Sequence, residues 1–138
     1  MKKKVLFLCT GNSCRSQIAE GFAKKLLPKD LHIESAGTEA HGLNPYTVKT
    51  MHEIGIDISY HKSKKINTND INKFDLVITL CGDAKDKCPI VDLNKHIHWD
   101  IPDPANFKGN QIDTKQKYSK VRELIFKKIK TFKLKEKF

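Results

Sequence analysis

Cys9 and Arg15 are separated by five residues in the run Cys9-Thr10-Gly11-Asn12-Ser13-Cys14-Arg15-Ser16, which is rich in Gly, Asn and hydroxyl side chains. These types suit a loop that binds a tetrahedral oxyanion and holds a nucleophile against it. The apolar run from Val5 to Leu8 leads in as a buried strand, and Ser16-Gln17-Ile18-Ala19-Glu20 leads out as the first turn of a helix. Such a junction aims backbone N–H groups and the positive helix end at one point, so Thr10, Gly11, Asn12, Ser13, Cys14 and Arg15 are the expected oxyanion-binding residues. A sulfur in that field, that of Cys9, is expected to be largely thiolate. Arg15 can grip the oxyanion through two parallel N–H bonds. Gly11 allows close backbone approach, Asn12 tolerates a left-handed turn, and Ser16 can donate its hydroxyl to the thiolate.

The same spacing also occurs where a buried thiol merely neighbours a solvated arginine. Two other stretches add chemistry. In Asp100-Ile101-Pro102-Asp103-Pro104 a carboxyl sits in a rigid, helix-averse loop. Displacement at an oxyanion needs a general acid for the departing group, and Asp103, fixed by Pro104, is the choice. In Cys81-Gly82-Asp83-Ala84-Lys85-Asp86-Lys87-Cys88 a helix would put the two cysteine Cα atoms roughly 10 Å apart by rise alone. A disulfide tolerates about 7 Å, so a bond between Cys81 and Cys88 requires the segment to unwind or loop out. The alternative is two unrelated thiols.

The elements that must position these groups alternate. Ile18, Phe22 and Leu26 make a helical stripe that Pro28 ends, and residues 30–35 read as a strand closed by Gly37. Asn44-Pro45 starts a helix with Val48, Met51 and Ile54 inward, stopped by Gly55. One short helix is expected near Asp70, strands over 75–80 and 96–99, and a C-terminal helix with Val121, Leu124, Ile125, Ile129 and Phe132 inward. This order predicts an α/β fold, a mainly parallel sheet with helices on both faces, formed by residues 1–138 as one domain. Ligands of such sheets gather at the carboxyl ends of the strands. Cys9 and Cys81 both follow strand ends, so neighbouring strands would make them a reacting pair.

Composition excludes several functions. The formal charge is +10, but residues 115–138 hold ten Lys or Arg and two acidic residues, so most of the excess is the solvated face of one helix. Aromatic residues do not interleave with these lysines, which argues against nucleic acid. Lys2-Lys3-Lys4 before an apolar run suggests a lipoprotein signal, yet four apolar residues and bulky Leu8 before Cys9 do not make one. No stretch is long and apolar enough to span a membrane. Four cysteines without an export signal point to a reducing, cytoplasmic setting. The pairs Cys9/Cys14 and Cys81/Cys88 leave four and six residues between them, at and beyond the upper end of the about two to four that zinc pairs leave, so no metal is expected.

The loop from Cys9 to Ser16, Glu20, Glu34-Ser35-Ala36-Gly37, His41-Gly42-Leu43-Asn44-Pro45, Thr79-Leu80-Cys81, Cys88-Pro89, His98-Trp99 and Asp103-Pro104 together resemble the thioredoxin-coupled arsenate reductases, which share the low-molecular-weight tyrosine phosphatase fold. The resemblance covers nearly the whole chain, and the cysteine triplet is its most specific part. It implies a four-stranded parallel sheet and a relay. Cys9 attacks arsenate while Arg15 holds the oxygens and Asp103 protonates the leaving hydroxyl. Cys81 then attacks Cys9, releasing arsenite, and Cys88 attacks Cys81, passing the disulfide to a place where thioredoxin reduces it. Cys14 has no obligatory part. No tightly bound cofactor is expected, and the protein is expected to act as a monomer.

Some members of that family bind potassium through groups corresponding to Asn12, Glu20 and Ser35 plus a hydroxyl and a carboxylate after His61. Those last positions here are Lys62 and Lys64. Potassium is therefore not expected, and an ammonium, that of Lys64 above all, is expected beside Glu20. The competing function is a phosphatase acting on phosphotyrosine or small aryl phosphates with the same Cys9, Arg15 and Asp103. Ala105-Asn106 after Asp103-Pro104, in place of aromatic residues, disfavours phosphotyrosine. A thiol sensor or metal-binding module would leave the order of the loop unexplained.

Overall fold

The computed structural model describes residues 3–82, 93–106 and 108–132. Four parallel strands, β1 (Lys4–Cys9), β2 (His32–Gly37), β3 (Leu76–Thr79) and β4 (His96–His98), form one sheet in the order β2-β1-β3-β4. Among the described residues lie the α-helices α1 (Arg15–Leu26), α2 (Pro45–His52), α3 (Thr68–Ile71) and α4 (Gln111–Thr131). This is the expected four-stranded parallel α/β fold. Cys88, with the expected unwinding of its segment, lies outside the described residues.

Val5, Leu6, Phe7 and Leu8 of β1 are fully buried. Successive side chains of a strand point to opposite faces, so both faces of the sheet are covered. Phe7 meets Trp99, which meets Phe132 just past α4. Leu6 instead borders a cleft with Ile66 and Phe74, on the side of the chain around α3. The chain runs from β1 to β2 and back across β1 to β3, so the ends of β1 and β3 lie side by side where the strand order reverses.

Several expected boundaries shift. Asp30 and Leu31 are not strand residues, because the Leu31 N–H turns back to the Pro28 carbonyl and pairing begins at His32. Asn44 caps α2 through its side chain, as expected, but the helix ends at His52 and leaves Ile54 38% exposed rather than inward. On α4 the inward stripe is Tyr118, Val121, Ile125 and Ile129. Leu124 lies one residue, about 100° of helical rotation, off that stripe and is 43% exposed. Among the described residues no helix is long and apolar enough to cross a membrane.

Candidate active site

The loop between β1 and α1 is shaped by what its carbonyls bond. Those of Cys9, Thr10, Gly11 and Ser13 accept the N–H groups of Thr38, Glu39, His41 and Asn44, at 3.1, 2.8, 2.9 and 3.2 Å. The Asn12 carbonyl accepts Gln17 Nε2 at 3.2 Å, and Asn12 itself has φ of 48°. With its carbonyls drawn outward, the loop turns N–H groups toward its concave side, the backbone arrangement that binds anions. No side chain caps α1 and its first turn holds no acidic residue, so its leading N–H groups also serve the cradle. Sequence reasoning did not find the 38–44 segment as the template of this loop; alternate backbone pairing outside a strand leaves no pattern in residue types.

Cys9, buried at the end of β1, has its sulfur 2.9 Å from the Ser16 hydroxyl. Asn12 Nδ2 donates to Ser16 Oγ at 2.8 Å. That bond uses one lone pair of Ser16 and leaves its proton free to point at sulfur, the direction in which it would stabilise a Cys9 thiolate. Arg15 lies across the cradle, with Nη1 donating to the carbonyls of Ile101 at 3.0 Å and Leu80 at 3.4 Å. Its Nη2 is 3.6 Å from Asp103 Oδ2. A guanidinium has five donors, so fixing it to the ends of two neighbouring segments still leaves N–H bonds for an oxyanion. Asp103 in turn accepts the Ala105 N–H at 3.0 Å, which holds its carboxyl at the rim.

Cys81 follows the end of β3, buried, with its sulfur 3.2 Å from the Thr10 hydroxyl. The two strand-end thiols therefore stand at the same edge of the sheet, with Cys81 against Thr10, the residue after Cys9. Cys9, Thr10, Gly11, Ser13, Cys14, Arg15, His41, Asp103 and Ala105 line one open cleft of about 420 Å³. His41 is the lining side chain the loop's own spacing does not reveal. Its Nε2 is 2.7 Å from Glu39, and its ring lies so close over Gly11 that a Cβ there would be 2.4 Å from Nδ1. Cys14 turns away, its sulfur 3.6 Å from the Tyr118 hydroxyl, and burial pushes its thiol pKa up. That suits a packed thiol rather than a nucleophile.

One expectation is overturned. The Lys64 ammonium pairs with Glu34, not Glu20. It approaches from outside β2, while its backbone N–H bonds Asn12 Oδ1 at 2.9 Å. The ammonium beside Glu20 belongs to Lys24, one helical turn on in α1. The oxygens a potassium ion would need here already meet donors among the described residues. Glu20 takes Ser35 Oγ and Lys24 Nζ, and Asn12 Oδ1 takes Lys64 N and Gln17 Nε2. His61 Nδ1 donates to Gln17 Oε1 at 2.9 Å, while its buried Nε2 lies 3.6 Å from Glu20 without a hydrogen bond. Burial lowers the His61 pKa against the pull of Glu20, so Lys24 is the cation that balances this carboxylate.

A cysteine and an arginine in an anion cradle between the first strand and helix of a β2-β1-β3-β4 sheet, faced by a late Asp-Pro, define a class. The chain belongs to the low molecular weight phosphotyrosine protein phosphatase family, whose family model matches residues 4–137. It is similar to arsenate reductases: that of Halalkalibacterium halodurans is 52% identical over 132 residues, 95% of each chain. A solved structure described as an arsenate reductase in the phosphate binding state matches with a TM-score of 0.72 and 33% identity, over 93% of this chain and 94% of that one. The low molecular weight protein tyrosine phosphatase from T. tengcongensis matches with a TM-score of 0.78 and 31% identity, over 99% and 100%. The fold is thus common to both activities.

Proposed function

We propose that this protein reduces arsenate to arsenite through a relay of Cys9, Cys81 and Cys88, recycled by thioredoxin. The observation that carries the reading is the Cys81 sulfur beside Thr10 of the nucleophile loop. A hydrolytic phosphatase has no use for a second thiol there. Arsenate would sit in the cradle with its oxygens on backbone N–H groups and Arg15. The Cys9 thiolate attacks arsenic, and hydroxide leaves as water on receiving a proton from Asp103. Cys81, as thiolate, then attacks the Cys9 sulfur. The new S–S bond forms as the S–As bond breaks, and the electron pair stays on arsenic, which leaves as arsenite. Cys88 attacks Cys81, forming the 81–88 disulfide and freeing Cys9, and the dithiol of thioredoxin reduces that disulfide. The catalytic set is Cys9, Arg15, Ser16, Cys81, Cys88 and Asp103, in a monomer working in a reducing compartment without a bound metal.

Arsenate-dependent NADPH oxidation in the presence of thioredoxin and its reductase tests this reading. Turnover is expected for the unaltered chain and is expected to vanish in Cys81→Ser and Cys88→Ser. Turnover surviving both substitutions would overturn the relay. The shared chemistry of Cys9, Arg15 and Asp103 gives slow hydrolysis of small aryl phosphates, which survives both substitutions and disappears in Cys9→Ser.

A further inference from the structure

Two anionic positions share one donor inside this protein. The Asn12 amide, its oxygen fixed by Lys64 N and Gln17 Nε2, sends one N–H to Ser16 and the other to Ser35, at 2.8 and 3.0 Å. The Ser16 hydroxyl is in hydrogen-bond contact with Cys9 Sγ, to which it donates when the sulfur is thiolate, and Ser35 donates to Glu20 Oε1. Asn12, Ser16 and Ser35 are essentially inaccessible, and the Glu20 side chain is 11% exposed. A carboxylate so placed, joined to the nucleophile through buried dipoles in a medium of low dielectric, opposes a second negative charge on sulfur. Among the described residues the answering cation is Lys24. Lys24 Nζ meets Glu20 Oε2 at 2.5 Å and lies over the Tyr60 ring, while His61, also facing Glu20, is held toward its neutral form by burial.

The geometry points to Lys24 as a positioning residue for the Cys9 thiolate, acting through Glu20, Ser35, Asn12 and Ser16. It rests on the reading of Cys9 as nucleophile and goes beyond it. Lys24 keeps Glu20 a fixed acceptor, which orders the Asn12 hub, and cancels the charge that would otherwise work against the sulfur. An i,i+4 pair of this kind on an open helix surface would matter little. This one differs because its acceptor is buried and leads to the reacting atom.

The test is the pH profile of Cys9 alkylation by iodoacetamide, read by peptide mass spectrometry that separates Cys9 from Cys14, in the full chain. Arg15, His41, Asp103 and Cys81 stay the same in every variant, so differences report the Lys24–Glu20 pair. Lys24→Met is expected to move the midpoint up by about half a unit, with alkylation about threefold slower below it. Lys24→Arg is expected to keep the profile of the unaltered chain. Adding Glu20→Gln to Lys24→Met removes the uncompensated charge and is expected to bring the midpoint back. An unchanged profile in Lys24→Met, or a shift that Glu20→Gln does not reverse, overturns the proposal. Arsenate takes no part in the measurement, so its outcome is independent of whether the relay operates.

Discussion

The hydroxyl oxygen of Thr10 lies 3.2 Å from the sulfur of Cys81, although 71 residues separate them in the chain. Parallel pairing of β1 with β3, continued by the Leu80 N–H on the Leu8 carbonyl, brings the two ends level. Thr10 therefore belongs to the nucleophile loop and touches the second thiol of the proposed relay. A hydrogen bond to a charged group contributes about 1.5 kcal/mol or more, or about tenfold in rate. Thr10→Val is expected to slow arsenate turnover by about that factor while leaving aryl phosphate hydrolysis within about twofold. Equal losses in both assays would place Thr10 in the first step instead.

Two glycines that look alike in sequence should behave differently. A Cβ at Gly37 would lie 2.3 Å from the Glu39 carbonyl oxygen and 2.4 Å from that of Thr10, both backbone atoms. Gly37→Ala must push β2 away from the cradle and is expected to cost more than about 2 kcal/mol in denaturant unfolding. At Gly11 the obstacle is the side chain of His41, whose exposed ring can rotate aside while its Cβ, 3.1 Å away, must give by a few tenths of an ångström. Gly11→Ala is expected to cost about 1 kcal/mol or less, with its main effect on arsenate KM. Reversed magnitudes would show that the 38–44 segment does not template the loop.

His61 gives a pH dependence of stability. Burial lowers its folded pKa below the usual 6.5, so between those values the unfolded chain binds more protons. Its contribution is complete above the unfolded value and is lost as pH falls through 6.5 toward the folded one. His61→Gln can keep the bond to Gln17 without titrating. The fall of Tm with pH in that window is expected to be shallower in His61→Gln, and an unaltered slope would refute the assignment.

Replacing sodium chloride by potassium chloride at equal ionic strength is expected to leave arsenate turnover unchanged, because Lys24 and the Lys64 N–H occupy the oxygens an ion would need. Stimulation by potassium alone would contradict this.

Much of this could be read from residue types because the chemistry is local. The loop from Cys9 to Ser16 shows its strand, its glycine and its helix in consecutive letters, and the left-handed Asn12 follows from the same reading. The placing of Cys9 and Cys81 at one sheet edge followed from one topological rule. What escaped was set by side-chain reach and off-sheet backbone pairing. Lys64 was expected beside Glu20 from its position after His61, but the ammonium that arrives is Lys24, placed by helical periodicity within α1. Leu124 was assigned inward on apolarity, whereas the stripe of α4 includes Tyr118, whose buried hydroxyl turns to Cys14. Phosphate against arsenate was never legible in the loop, since its donors read only a tetrahedral shape.

The outward bonding of the loop carbonyls to residues 38–44 has a thermodynamic corollary. The conformational entropy of arranging the cradle is lost when the chain folds, so little ordering remains for an incoming anion to induce. Affinity then rests on how well fixed dipoles replace the hydration shell of the anion, a quantity nearly equal for isosteric oxyanions. Inorganic phosphate should accordingly occupy the resting enzyme as a competitive inhibitor. Under the proposed relay, discrimination in favour of arsenate would arise afterwards, from the readiness of arsenic to accept the electron pair of a breaking sulfur bond.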